Sequence, residues 1–226
     1  LGYTMVYGIA KMLNFAHGDI IMVGSYVIFT ATTMAGMPVP VAILASIMIC
    51  TILGVVIEGI AYRPLRGTSS LAVLITAIGV SYFLQNAVQI IYGANAKSFK
   101  SVVALKAVKL AGGELVISGE TIVTIISCVV IMVALNTFVN KTKTGHAMLA
   151  VAEDRQAAEL MGINVNKTIS LTFAIGSGLA AVAGMLLCSA YPNLTPTTGA
   201  MPGIKAFTAA VFGGIGSIPG ALIGGV

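Results

Sequence analysis

The charged residues of this chain are clustered and leave long runs with none: 20–57, 67–96, 121–140 and 168–204 are uncharged throughout. A membrane-spanning α-helix needs about 20 mostly apolar residues, so each run can hold a span. The first is long enough for most of two, divided at Met37-Pro38-Val39-Pro40, where prolines interrupt a helix. Composition points the same way. Of 226 residues, 58% are hydrophobic and 8% charged, against about a quarter charged in soluble domains, and the mean hydropathy is +1.01. The 12 basic and 7 acidic side chains cannot cover a soluble protein of this size, so lipid must cover the rest.

The short alternating segments of a membrane β-barrel are absent, which leaves an all-α, polytopic transmembrane helical bundle. Helices are expected at 1–13, 20–36, 41–62, 70–92, 121–140, 166–190 and 204–226. Residues 1–226 read as a single membrane domain cut at both ends, because 1–10 looks like the second half of a helix and 206–226 stops within an apolar segment. Cytoplasmic loops of membrane proteins carry an excess of Lys and Arg. Lys11, then Arg63 and Arg66, then Lys141, Lys143, Arg155 and Lys167 mark that side. Segment 93–119 carries Lys97, Lys100, Lys106 and Lys109 and opposes the rule, yet helix parity puts it outside, as a small hairpin turning at Gly112-Gly113-Glu114. The net charge of +5 sits in short loops rather than along one solvated face, so nucleic acid is not an expected partner. Cys50, Cys128 and Cys188 lie in different apolar runs, and no disulfide framework is expected.

Segment 141–165 is the most polar part of the chain and reads as one short cytoplasmic helix. Thr144 or Gly145 can start it, Glu153 and Asp154 are acidic early in the segment, and Gly162 can close it. By spacing alone it is either a solvated connector or a handle for a soluble partner. Residues 14–19 interrupt an apolar run and leave two readings. One is a helix broken at membrane depth, tolerated only beside protein or a cavity. The other is an interfacial turn in which Asn14 or Asp19 caps the next helix and His17 meets water. Gly176, Ala180 and Gly184, and likewise Gly216, Gly220 and Gly224, recur every four residues and place small residues on one helix face, which allows close packing. Glu58 and Lys205 are expected near span ends, Glu58 at headgroup level near Arg63 and Lys205 reaching toward the interface. His146 reads as a polar loop residue. No phosphate-binding loop, metal-ligand set or nucleophile–base pair is legible, so the chain is not expected to be an enzyme or to hold a metal.

Asn14-Phe15-Ala16-His17-Gly18-Asp19 with Val23-Gly24-Ser25-Tyr26, Arg63-Pro64-Leu65-Arg66, Ala77-Ile78-Gly79 with Phe83-Leu84-Gln85-Asn86, Ala152-Glu153-Asp154 with Leu160 to Asn164, and Lys205 to Val211 with Pro219-Gly220 together resemble the inner-membrane permeases of branched-chain amino-acid ABC importers. Urea and amide permeases are similar. The resemblance implies a bundle with broken or re-entrant helices in the bacterial inner membrane, and a partner set of a second permease in a heterodimer, two cytoplasmic ATPase subunits that use ATP and Mg, a periplasmic binding protein and membrane lipid. It implies that 141–165 is a coupling loop, with Ala152, Glu153, Asp154, Arg155, Ala157, Ala158 and Gly162 meeting the ATPase. It also favours a pathway role for Asn14, Phe15, Ala16, His17 and Gly18.

Other classes stay in view. An ion-coupled secondary transporter typically needs a buried Asp, Glu or His relay, and the span centres are expected to hold none. A passive channel or scaffold has no need of the polar 141–165 handle.

Overall fold

Hydrocarbon offers no partner to backbone N–H and C=O groups, so each long apolar run must satisfy its own hydrogen bonds as a helix. The computed structural model describes residues 1–103, 107–110 and 115–225. Its helices are α1 (Gly2–Ala10), α2 (His17–Phe29), α3 (Val39–Ile57), α4 (Ser70–Tyr92), α5 (Gly119–Lys141), α6 (Lys143–Glu153), α7 (Arg155–Leu160), α8 (Val165–Ala190), α9 (Ala200–Phe212) and α10 (Ile218–Ile223). α2 continues as a π-helix over Thr30–Met34; α3 continues as a π-helix over Glu58–Tyr62 and a 3-10 turn over Arg63–Leu65. Val39–Leu65, Ser70–Tyr92, Gly119–Lys141 and Val165–Ala190 are each long and apolar enough to cross a membrane, covering roughly 35–40 Å at the helical rise.

α4 to α8 each follow a Ser, Thr, Asp or Asn whose side chain accepts a first-turn N–H. Ser69 accepts from Ala72, Ser118 from Thr121, Thr142 from Gly145, Asp154 from Gln156 and Ala157, and Asn164 from Lys167. α2 and α9 instead follow Ala16 and Gly199 and have no side-chain cap. Both cap positions, Ala16 and Gly199, are buried.

α8 is the axis, packed against α1, α2 and α3. Its most apolar stretch is 56% buried within the chain, against 11% for that of α5, so α8 faces protein and α5 faces outward. Small residues allow the approach. A Cβ on Gly24 would lie 2.8 Å from the Ala181 Cα, one on Gly184 would lie 2.6 Å from Ser25 Oγ, and one on Gly176 would lie 2.6 Å from a Val6 methyl. The Ser46 hydroxyl donates to the Gly24 carbonyl at 2.8 Å, tying α3 to α2. On the outer surface α3 exposes Leu44, Met48, Ile52 and Ile60, and α4 exposes Ile75, Phe83, Ile90 and Ile91. An apolar surface of this extent requires lipid.

Strand β1 (Lys97–Ser98) pairs antiparallel with β4 (Asn193–Leu194), and β2 (Val108–Leu110) with β3 (Leu115–Ile117). The first ladder joins the connections after α4 and after α8, at the end of α8 remote from α6 and α7. It therefore lies on the side opposite the polar 141–165 segment, as helix parity requires. Lys106 and the expected turn Gly112-Gly113-Glu114 fall outside the described residues.

Three expectations need correction. The expected span 204–226 is two helices, because Gly214 and Gly216 take φ of 85° and 87°, a region that favours glycine, and Ser217 then caps α10. Gly216, Gly220 and Gly224 consequently do not share one helix face: Gly216 lies before α10 against Gly8, Gly220 meets the Gly213 backbone, and Gly224 meets Ala209 and Gly213. The expected helix 1–13 ends at Ala10, and the next begins at His17. Segment 141–165 forms two helices, not one.

The contrast between packed and open glycines is testable by thermal unfolding in detergent. Gly184→Ala is expected to lose about 1–3 kcal/mol by overpacking, whereas Gly79→Ala, with open space around its Cβ position, leaves the transition unchanged or raises it slightly.

Candidate functional site

At the end of α1 the backbone leaves the helix. Lys11 takes φ 50°, the one non-glycine residue with positive φ among the described residues, and 12–16 is non-helical before α2 begins. Asn14, His17 and Asp19 are 2%, 5% and 1% exposed. The Asp19 carboxylate accepts from Gln85 Nε2 at 2.9 Å. Gln85 lies about two-thirds of the way along the 23-residue α4, which puts Asp19 at membrane depth. The His17 ring meets Tyr3 edge-on at 5.7 Å, and Phe207 of α9 packs on both Tyr3 and Phe15. Gly18 lies against the backbone of Gly199 and Gly203, with a Cβ 3.0 Å from the Gly203 Cα. Ala16 is fully buried, and Phe15 is half-buried.

The interfacial turn is therefore excluded: His17 does not meet water, and neither Asn14 nor Asp19 caps α2. His17 and Asp19, in the first turn of α2, and Glu58, at the end of α3, lie away from the span centres but are buried. His17 and Asp19 follow the exposed Lys11 by only six and eight residues, yet both are buried. Asn14 Oδ1 accepts from the Tyr62 hydroxyl at 2.9 Å. Asn14 Nδ2, Tyr3 Oη and Thr4 Oγ1 are buried with no protein partner. Orphaned groups of this kind are rare in protein interiors and leave the break able to bond a polar ligand.

At the end of α3 next to Arg63 and Arg66, Glu58 is 1% exposed. Its Oε1 pairs with Arg66 and its Oε2 accepts from the Ser170 hydroxyl; Arg66 also donates to Asn166 Oδ1. The partner is Arg66 and not the neighbouring Arg63, which is exposed, because the 3-10 turn after the π segment swings Arg66 back toward α8. Arg66 lies just past the span. Burial lowers its pKa and the Glu58 carboxylate opposes that shift, so the guanidinium stays charged. Arg155, the first residue of α7, donates to the Ala10 carbonyl at the end of α1.

Asp154 separates α6 from α7, its carboxylate accepting from Gln156 N at 2.8 Å and Ala157 N at 3.1 Å. Glu153 ends α6 rather than lying early in a helix. Gly162, at φ 82°, closes α7 with bonds from Gly162 N to Glu159 O and from Ile163 N to Ala158 O, the pairing of a Schellman motif. Glu153, Asp154, Ala157 and Gly162 are exposed, while Ala152 and Arg155 are half-buried. Ala158 is 3% exposed and belongs to the core, so Ala157 and Ala158 do not form a shared smooth face. Sequence reasoning missed Leu160 and Met161, 89% and 83% exposed. The available signal was two adjacent large apolar side chains in the most polar segment of the chain.

Gly176 faces α1, Ala180 is buried in the core, and Gly184 faces Ile21 and Ser25 of α2. Lys205 is exposed on α9 and lines, with Thr124, Cys128, Thr198 and Met201, a cleft of about 840 Å³ between α5 and α9. His146 is exposed on α6 rather than in a loop.

Over residues 1–226 the chain matches the family described as branched-chain amino acid transport system / permease component. It belongs to this family. Relatives include the high-affinity branched-chain amino acid transport system permease protein BraD of Pseudomonas aeruginosa, 45% identical over all of this chain and 77% of its own length. The corresponding permease proteins LivH of Salmonella typhimurium and Escherichia coli are each 44% identical over the same shares. No solved structure matches the chain. Family membership sets both polar regions in a multi-pass membrane component of a transport system, with the buried helix break and the α6–α7 pair at the same end of α1, where Arg155 donates to the Ala10 carbonyl.

The Glu58–Arg66 pair gives a prediction about stability. Glu58→Leu or Arg66→Leu alone strands a buried charge and is expected to cost about 3–5 kcal/mol, while the double substitution costs far less. Thermal unfolding of the three variants in detergent checks this, and equal losses in all three would refute the pairing.

Proposed function

We propose that this chain is the membrane-spanning permease subunit of an ATP-driven importer, which passes leucine, isoleucine and valine from an extracytoplasmic binding protein to the cytoplasm. One observation carries the reading: similarity of 44–45% across the entire chain to high-affinity branched-chain amino acid permeases. The chemistry is compatible. A branched-chain amino acid has an apolar side chain and a zwitterionic head, and the head needs polar partners wherever water is excluded. Asn14, His17 and Asp19, with the open donors of Asn14 and Tyr3, offer such partners at depth, beside Phe15, Ala16 and Gly18.

The energy comes from elsewhere. In this reading two ATPase subunits use ATP and Mg, this chain binds neither, and a second permease completes the pathway. The dock is the α6–α7 pair. Leu160 and Met161 serve as its apolar anchor, with Glu153, Asp154, Ala157 and Gly162 around them, because exposed apolar side chains rimmed by polar groups fit a soluble partner.

Buried His17 and Asp19 also favour a second reading, an ion-coupled transporter. Uptake into proteoliposomes holding the assembled complex separates the two. Leucine accumulation is expected to require ATP on the cytoplasmic side and to persist in the presence of proton and sodium ionophores, with no accumulation of urea. Uptake that needs no ATP and collapses with ionophore, or uptake of urea alone, overturns the importer reading. Leu160→Glu with Met161→Glu is expected to cut ATPase co-purification at least about tenfold, equivalent to about 1.4 kcal/mol.

A further inference from the structure

We infer that the Tyr62 hydroxyl is a positioning group for transport, linking the cytoplasmic start of α8, next to α7, to the break between α1 and α2. The inference rests on the importer reading and extends it to how motion at the dock reaches the pathway.

Tyr62 closes the π-helical turn Glu58–Tyr62. Such turns are rare, and they often occur at functional sites. The residue is fully buried, its ring packs on Phe173 of α8 at 5.4 Å, and its hydroxyl donates to Asn14 Oδ1 at 2.9 Å. At the other end of the turn, Glu58 is held by Arg66 and by Ser170, and Arg66 reaches Asn166. Asn166 and Ser170 lie in the first turns of α8, immediately after the Gly162 stop and the Asn164 cap that join α8 to α7. The π turn is thus fixed to α8 at one end and to the break at the other.

The break is gripped from a second point. Arg155 of α7 donates to the Ala10 carbonyl, one residue before the left-handed Lys11. Displacement of α7 moves the end of α1 through Arg155 and the start of α8 through the short connection at 161–164. Tyr62 then determines whether Asn14 follows. Asn14 Nδ2 has no protein partner, so the Tyr62 bond is the side-chain restraint on Asn14 among the described residues. Packed interiors transmit displacement through such contiguous contacts.

Tyr62→Phe removes one oxygen and keeps the ring on Phe173. In the whole complex with its ATPase subunits and binding protein, this variant is expected to assemble normally and hydrolyse ATP within about twofold of wild type. Leucine carried per ATP falls at least about tenfold, a coupling energy in the range seen for allosteric contacts. Asn14→Leu is expected to give the same loss, and the double variant to be no worse than either, as for two halves of one contact. If Tyr62→Phe cannot be recovered folded, Asn14→Asp, which keeps the acceptor, should retain coupling that Asn14→Leu loses. Wild-type leucine per ATP in Tyr62→Phe, additive losses in the double variant, or equal behaviour of Asn14→Asp and Asn14→Leu would overturn the inference and leave the importer reading standing. Absence of ATP-dependent leucine uptake by the unaltered complex overturns both.

Discussion

A peptide group that leaves a helix inside a membrane has no water to bond, so the chain must enclose it or keep it helical. The unwound stretch between Ala10 and His17 sets the terms for the rest of this structure. Enclosure explains why α8 carries Gly176 and Gly184 toward α1 and α2, and why α9 begins at Gly199 against Gly18. It also accounts for α2 and α9 starting without side-chain caps, whereas α4 and α8 have them. A capping side chain at Gly199 would occupy the volume of the Gly18 carbonyl.

The same constraint orders the polar groups. Asp19 has Gln85, Asn14 has Tyr62, and Glu58 has Arg66 and Ser170, which tie α2 to α4, the break to the end of the α3 span, and that end to α8. Such pairings contribute little net stability compared with an apolar replacement, but removing one partner is expensive. They therefore fix helix register more than they hold the bundle together. Burial of α8 against three neighbours supplies the cohesion, and the polar pairs specify how those neighbours align.

Much of this was legible in the sequence. Segment 70–92 was read as a span and is α4, because Ser69 caps it and no glycine turn or proline interrupts it. The spans read at 121–140 and 166–190 differ from α5 and α8 by one or two residues for the same reason. Family membership was readable from separated motifs such as Asn14 to Asp19 and Ala152 to Asp154. What stayed hidden depends on distant neighbours or on backbone angle. Spacing does not distinguish a glycine that packs, such as Gly184, from one that turns, such as Gly216. The hydrogen-bond partner of buried Asp19 is a glutamine 66 residues away, and no local pattern reports it. Arg66 pairs with Glu58 because the helix end is π and 3-10 rather than α.

The central claim is that His17 lies enclosed within the bundle while Leu160 projects into the cytoplasm. Single cysteines at these positions, in a background with Cys50, Cys128 and Cys188 replaced, can be challenged with a membrane-impermeant maleimide in resting cells and in inverted vesicles. The account predicts no labelling of His17→Cys from either face and strong labelling of Leu160→Cys in inverted vesicles only. Ready labelling of His17→Cys at rest, or labelling of Leu160→Cys in intact cells, would contradict it.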